Sequence, residues 1–147
     1  MKQDRLDRRR ITKVAVLGSG VMGSRIACHF ANIGVEVLLL DVAPVQLTEQ
    51  EVATGLTLEH RAVRNRIVNN SLKQALAANP SPVYSQRSIR RITTGNFEDD
   101  FSKIATVDWI IEAVVERLDV KQQVFDRVEQ FRRSGTLVTS NTSGIPI

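Results

Sequence analysis

Cysteine, aromatic residues and long apolar runs are all scarce in this chain of 147 residues, and each scarcity removes a class of protein. The single cysteine, Cys28, has no partner for an internal disulfide and cannot build a cysteine-based zinc cage. Seven aromatic residues (Phe 5, Trp 1, Tyr 1) offer few platforms for stacked bases, which argues against nucleic acid as a partner. The longest apolar run, Val35 to Leu40, is interrupted by Glu36 and falls far short of the ~20 residues that a membrane-spanning helix needs. The amino terminus has no apolar core of signal-peptide type, and Asp4 and Asp7 argue against a transit peptide, so a cytoplasmic address is expected.

What is present is 42% apolar residues, dominated by Val, Ile, Leu and Ala, the composition of strands covered on both faces by helices. The formal charge of +4 is unevenly spread. Residues 1–11 read as a basic tail with Lys2, Arg5, Arg8, Arg9 and Arg10 against Asp4 and Asp7. Between His60 and Arg91 lie Arg61, Arg64, Arg66, Lys73, Arg87, Arg90 and Arg91 with no acid among them, whereas acids predominate from Glu98 to Asp119. Two readings stay open for this polarity: solvated faces of opposite sign, or a patch for a polyanionic small ligand.

From Thr12 onward, short β-rich runs alternate with helical periodicity, which predicts an α/β domain over 12–147: a Rossmann-type parallel sheet with helices on both faces, strand order 3-2-1-4-5. The predicted strands are Val14–Leu17, Val35–Leu40, Arg91–Thr94, Trp109–Val114 and Thr136–Thr139, and the chain ends after the fifth. Met22, Ile26, Phe30 and Ile33 mark the apolar face of the first helix, stopped by Gly34. One long helical region is expected from Val45 to Ala78, within a helical insertion spanning about 45–90. Val124, Phe125, Val128 and Phe131 mark a later helix, and Glu98–Ile104 a brief one.

Gly18-Ser19-Gly20-Val21-Met22-Gly23 is a G-x-G-x-x-G between a strand and a helix, with Asp41 closing the next strand 18 residues after Gly23. In that setting each glycine serves a separate purpose. Gly18 makes the tight turn, Gly20 admits a pyrophosphate close to the backbone, and Gly23 lets the helix approach the strands. The helix amino terminus offers free N–H groups to phosphate. Asp41 would accept hydrogen bonds from ribose hydroxyls and repel a 2′-phosphate, so NAD is the expected cofactor rather than NADP. FAD proteins share the fingerprint, and Asp41 would also serve as a cap or turn residue. Cys28 and His29 read as buried core groups, and His60 as a surface residue. No metal site is expected.

The segments VAVLGSGVMGSRIACHFANIGVEVLLLDV, VDWIIEAVVERLDVKQQVF and TLVTSNTSGIPI together resemble the NAD-binding domain of L-3-hydroxyacyl-CoA dehydrogenases, most of all bacterial proteins in which this domain precedes an enoyl-CoA hydratase-like portion. The resemblance implies oxidation of a 3-hydroxyacyl-CoA to a 3-oxoacyl-CoA with NAD in fatty-acid β-oxidation. It implies that Glu116 and Lys121 line the nicotinamide end and the CoA approach, that Ser143 contacts the reacting oxygen and that Ser71 contacts CoA; Asn141 and Lys73 are further candidates on the substrate side. Glu116 and Lys121 can equally be ordinary helix charges, Asn141 and Ser143 helix caps, and Glu112 is left open. A lysine expected two turns after Ser71 is Ala78 here, with Lys73, Arg64 or Arg66 as possible substitutes.

The family's catalytic histidine and its carboxy-terminal helical domain have no counterpart in these residues. No catalytic residue is therefore expected in this chain, which reads as a fragment that binds NAD without turnover. The longer protein is expected to be a homodimer or multidomain assembly. The rival reading is a non-catalytic regulatory or scaffolding module that binds NAD.

Overall fold

The computed structural model describes residues 10–141. Five parallel strands form one sheet: β1 (Lys13–Leu17), β2 (Glu36–Asp41), β3 (Ile92–Asn96), β4 (Trp109–Glu112) and β5 (Leu137–Ser140), in the order β3-β2-β1-β4-β5. This is the predicted order. Alternation along the strands sends Val14, Val16, Val37 and Leu39 to one face and Ala15, Leu17, Leu38 and Leu40 to the other, and all eight are buried. The first face packs on helices α1 (Val21–Asn32) and α4 (Arg66–Leu76). The second packs on a 3-10 helix (Phe101–Thr106) and on α6 (Leu118–Phe131), through Phe101, Ile104, Val124 and Val128. No described helix is long and apolar enough to cross a membrane.

The face of α1 differs from the predicted one. Met22 and Ile33 are more than half exposed, while Gly23, Ser24, Ala27, Cys28 and Ala31 face the sheet. The cause is proximity: the helix begins so near the β1 turn that only small side chains fit beneath it, and Ile26 and Phe30 pack at its flank. His29 is accordingly exposed rather than buried, whereas Cys28 is in the core and burial raises its thiol pKa.

The predicted continuous helix over 45–78 is instead three pieces: α2 (Glu49–Ala53), α3 (Arg61–Arg64) and α4. A capping box starts α2, with Glu51 N–H donating to Thr48 Oγ1 at 3.2 Å and Thr48 N–H to Glu51 Oε2 at 2.8 Å. Gly55, at φ +75°, stops it. Exposed His60 begins α3 and accepts the Thr57 N–H at Nδ1, 2.9 Å away. Asn65 breaks the run again, because its buried side chain turns to accept a hydrogen bond from Asn96 Nδ2 at 2.8 Å. A short α5 (Gln86–Ile89) leads into β3.

Candidate functional site

The strands deliver a crevice of about 540 Å³ at their carboxyl ends, where the crossover direction reverses between β1 and β4. Gly18, Ser19, Gly20, Val21, Met22, Asp41, Glu116, Ser71 and Asn141, nine of the expected site residues, line it. Phe97, Ala113 and Val115 line it too; Ala113 and Val115 fall in the segment VDWIIEAVVERLDVKQQVF, whereas nothing in the sequence singled out Phe97.

The glycines divide by geometry. Gly18 has φ +105°, and a Cβ there would stand 2.5 Å from the Ala113 carbonyl oxygen. A Cβ on Gly23 would stand 1.8 Å from the Gly18 carbonyl oxygen. Both are therefore required by the fold. Gly20 is different: a Cβ there would meet nothing within 4 Å, although the residue faces the crevice. Its vacant side-chain position lies at the amino terminus of α1, which has no acidic residue in its first turn and no side-chain cap, so its N–H groups are free for an anion. The space a Cβ would fill is the space a pyrophosphate needs, and the residues present thus fit a dinucleotide.

Asp41 organises this loop as well as facing the crevice. Its Oδ2 accepts the Ser19 N–H at 2.8 Å and the Ser19 hydroxyl, and its Oδ1 accepts the Val42 N–H at 2.7 Å. A carboxylate has about four lone-pair positions, so one on Oδ1 is left for a ribose hydroxyl. Val42 and Phe97 flank it with apolar surface, and the Phe97 N–H donates to the Asp41 carbonyl at 2.9 Å.

Glu112, left open by sequence, is fully buried at the end of β4. Its Oε1 accepts Lys121 Nζ at 2.9 Å and the Val114 N–H at 2.6 Å, and its Oε2 accepts the Ser140 hydroxyl. Its carbonyl accepts the Asn141 N–H at 2.7 Å. Lys121, only 3% exposed, also donates to the Val114 carbonyl at 3.3 Å. Lys121 thus lies beneath the crevice rather than along it, and the pair ties the 113–117 loop, which carries Glu116, to the ends of β4 and β5. This turn ends β4 at Glu112, two residues before the predicted Val114.

Ser71 also lines a second cleft of about 300 Å³ with Gly20, Ser24, Arg25, Gln74 and Ala78. Arg25, which carries no signal in the sequence pattern, thereby shares a cleft with Ala78, the position where a lysine was expected. Lys73 lines neither cleft, since it is about 200° around α4 from Ser71 and exposed. Arg64 pairs with Asp99 at 2.6 Å and Arg66 with Glu51 at 2.8 Å, which removes both as substitutes. Ser143 lies outside the described residues.

A polar knot behind Phe97 was also invisible in the sequence. Asp100, 1% exposed, accepts the Asn96 N–H at 2.9 Å and pairs with Lys103 at 2.6 Å and Arg61 at 3.3 Å. Burial opposes its ionisation, but these bonds outweigh burial and hold the carboxyl below its ordinary range. Hydrogen bonds from Arg64 and then Asn96 hold Asp99 down to about 2. Among the described residues no cluster of His, Cys, Asp and Glu could hold a metal ion.

Residues 13–147 match the family model described as 3-hydroxyacyl-CoA dehydrogenase, NAD binding domain. Two relatives carry the name "Probable 3-hydroxyacyl-CoA dehydrogenase". That of Bacillus subtilis (strain 168) is 50% identical over 139 residues, 95% of this chain and 18% of that protein. That of Deinococcus radiodurans is 37% identical over 138 residues, 94% of this chain and 36% of that protein. The crystal structure of 3-hydroxybutyryl-CoA dehydrogenase from Escherichia coli K12 superimposes with a TM-score of 0.60 at 28% identity, covering 93% of this chain and 26% of that one. The chain spans well under half the length of each.

Proposed function

The chain belongs to the family of 3-hydroxyacyl-CoA dehydrogenase NAD-binding domains, and from that premise we propose that its crevice seats NAD in preference to NADP as the cofactor half of a 3-hydroxyacyl-CoA dehydrogenase of fatty-acid β-oxidation. The observation that carries the reading is the contrast among the glycines: two are locked by contact, and Gly20 stands open beside the free N–H groups of α1. Gly18–Gly23 hold the pyrophosphate, and the remaining acceptor position of Asp41 takes a ribose hydroxyl. The carboxylate disfavours a 2′-phosphate by like-charge repulsion. Glu116, Asn141 and Ser143 serve the nicotinamide end and the substrate oxygen, with Lys121 acting from below through Glu112.

NAD, when bound, supplies the hydride acceptor. The protein's part is to bind and orient it. Ser71 and Arg25 lie toward the acyl-CoA, with Arg25 supplying the cation that Ala78 does not. The longer protein is cytoplasmic and works as a homodimer or multidomain assembly. Calorimetric titration of the 147-residue chain with both cofactors tests the assignment. Saturable binding of NAD at least about tenfold tighter than NADP is expected, and equal or reversed affinities contradict it.

A second reading is a module that binds NAD without chemistry; the crevice residues serve it equally, and a catalytic histidine in the longer protein would separate the two. For this chain by itself both readings predict no NADH from 3-hydroxybutyryl-CoA. Turnover by it would place a general base among its own residues, with Glu116 the first to substitute.

A further inference from the structure

The crevice does not absorb the arginine-rich stretch between His60 and Arg91, and the structure divides that stretch in two. Arg61, Arg64 and Arg66 have acidic partners, Asp100, Asp99 and Glu51. Arg87 and Arg90 have none among the described residues. They converge instead with Lys13, Arg91 and Lys103 on a groove of about 460 Å³, whose one acidic lining residue is Glu36. Lys13 also has no acidic partner among the described residues, Arg91 is held by the Ala31 carbonyl at 2.8 Å, and Lys103 reaches Asp100.

The groove follows from how the sheet is covered. It lies at the amino ends of β1, β2 and β3, on the face that carries Ala15 and Leu38. Pairing sets Lys13 beside Glu36 and Leu38 beside Thr93, so this face starts with Lys13, Glu36 and Thr93 rather than with apolar residues. On this side the 3-10 helix reaches the groove only through Lys103 and Thr106. Part of a doubly wound sheet is thus left open, and the open part is cationic. The crevice is a strand's length away, about 15 Å at about 3.3 Å per residue.

We propose that this groove is a second anion site, for a small molecule bearing a pyrophosphate or comparable group with at least two negative charges. With Lys103 paired to Asp100, the four cations Lys13, Arg87, Arg90 and Arg91 against the one carboxylate of Glu36 leave a positive potential that a monovalent ion cannot neutralise. Arg87 and Arg90 sit three residues apart, one turn, so their guanidinium forks can grip neighbouring phosphate oxygens together. The volume suits a small molecule rather than a folded partner.

Inorganic pyrophosphate is the probe, titrated calorimetrically into the 147-residue chain at fixed ionic strength. Saturable binding is expected. The double substitution Arg87→Ser with Arg90→Ser, at two exposed side chains, weakens it about tenfold or more and leaves NAD affinity unchanged. Gly20→Val, which fills the crevice, leaves pyrophosphate binding in the groove intact. The proposal is overturned if pyrophosphate shows no saturable binding, or if Gly20→Val abolishes it and the arginine substitutions do not. Tighter binding of an oligoglutamate peptide than of pyrophosphate also overturns it, by making the groove a surface for an acidic protein segment. Because Gly20→Val and the arginine pair are read separately, failure of NAD binding and failure of the groove are distinguishable.

Discussion

The two edges of one sheet are equipped for negative charge by opposite means, a glycine loop in the proposed cofactor crevice and a cationic groove in the proposed second site. At the carboxyl edge the work falls to backbone: glycine turns, the free N–H groups of α1, and a buried Glu112–Lys121 pair that holds the loop from below. At the amino edge it falls to long cationic side chains, of which Arg87, Arg90 and Lys103 are exposed and Lys13 and Arg91 half-buried. The first arrangement is preorganised and intolerant of substitution. In the second, Arg87 and Arg90 are exposed and adaptable, while Arg91 and Lys103 are tied to the fold through the Ala31 carbonyl and Asp100. The comparison teaches that the features suited to shape-specific recognition stand where the fold already fixes the backbone, and those suited to simple charge attraction where it does not.

The sharpest way to break this contrast is at the glycines. Gly23→Val drives a side chain into the Gly18 carbonyl and is expected to cost more than about 3 kcal/mol, read by denaturant unfolding. Gly20→Val, a β-branched residue at the α1 N-cap, is expected to cost no more than about 1 kcal/mol while abolishing NAD binding. Equal destabilisation by both would remove the division between fold-holding and ligand-admitting glycines.

Next in size is the buried pair. Glu112→Ala leaves Lys121 buried and without that carboxylate, and a loss of about 3–5 kcal/mol is expected by the same unfolding measurement. Glu112→Leu combined with Lys121→Met should recover most of that stability without restoring NAD affinity, because the 113–117 loop no longer has its anchor at the strand ends. Recovery of both would make the pair a matter of packing alone.

How far these edges were legible in the sequence follows from how each is built. Gly18, Gly20, Gly23 and Asp41 stand at spacings imposed by one strand, one turn and one helix, so order along the chain already encodes their geometry. The strand order and the second helical layer were readable for the same reason. The packing face of α1 was not, because large residues dominate a periodicity count while the close approach at Gly23 demands small ones. The break at Asn65 depends on Asn96, 31 residues away, and no local propensity reports it. The capping box at Thr48 and Glu51 and the stop at Gly55 were visible signals that the apolar pattern overshadowed. Lys13, Arg87 and Lys103 come from separate segments, so only the folded sheet reveals their convergence.

A smaller effect sharpens the carboxyl edge. Asp41→Ala is expected to weaken NAD binding by about 1–3 kcal/mol in calorimetry and to narrow the preference over NADP. A drop in stability without a change in affinity would reduce Asp41 to its bonds with Ser19 and Val42. The smallest expected effect concerns acid. With its pKa lowered to about 2, Asp99 stabilises the fold above the ordinary carboxylate range near 3.8, and that contribution is lost as pH falls through about 2. Arg64→Ala returns Asp99 toward its ordinary value and should move the acid limb of unfolding slightly upward, with no change at neutral pH beyond the loss of an exposed pair.

The central claim is that NAD occupies the carboxyl edge through backbone groups, and amide chemical-shift mapping on the 15N-labelled chain tests it most directly. Titration with NAD should displace the amide signals of Ser19, Gly20, Val42 and Val114 while those of Arg87, Arg90 and Lys103 stay in place. Displacement centred on the latter group, with the glycine loop unmoved, would contradict the account.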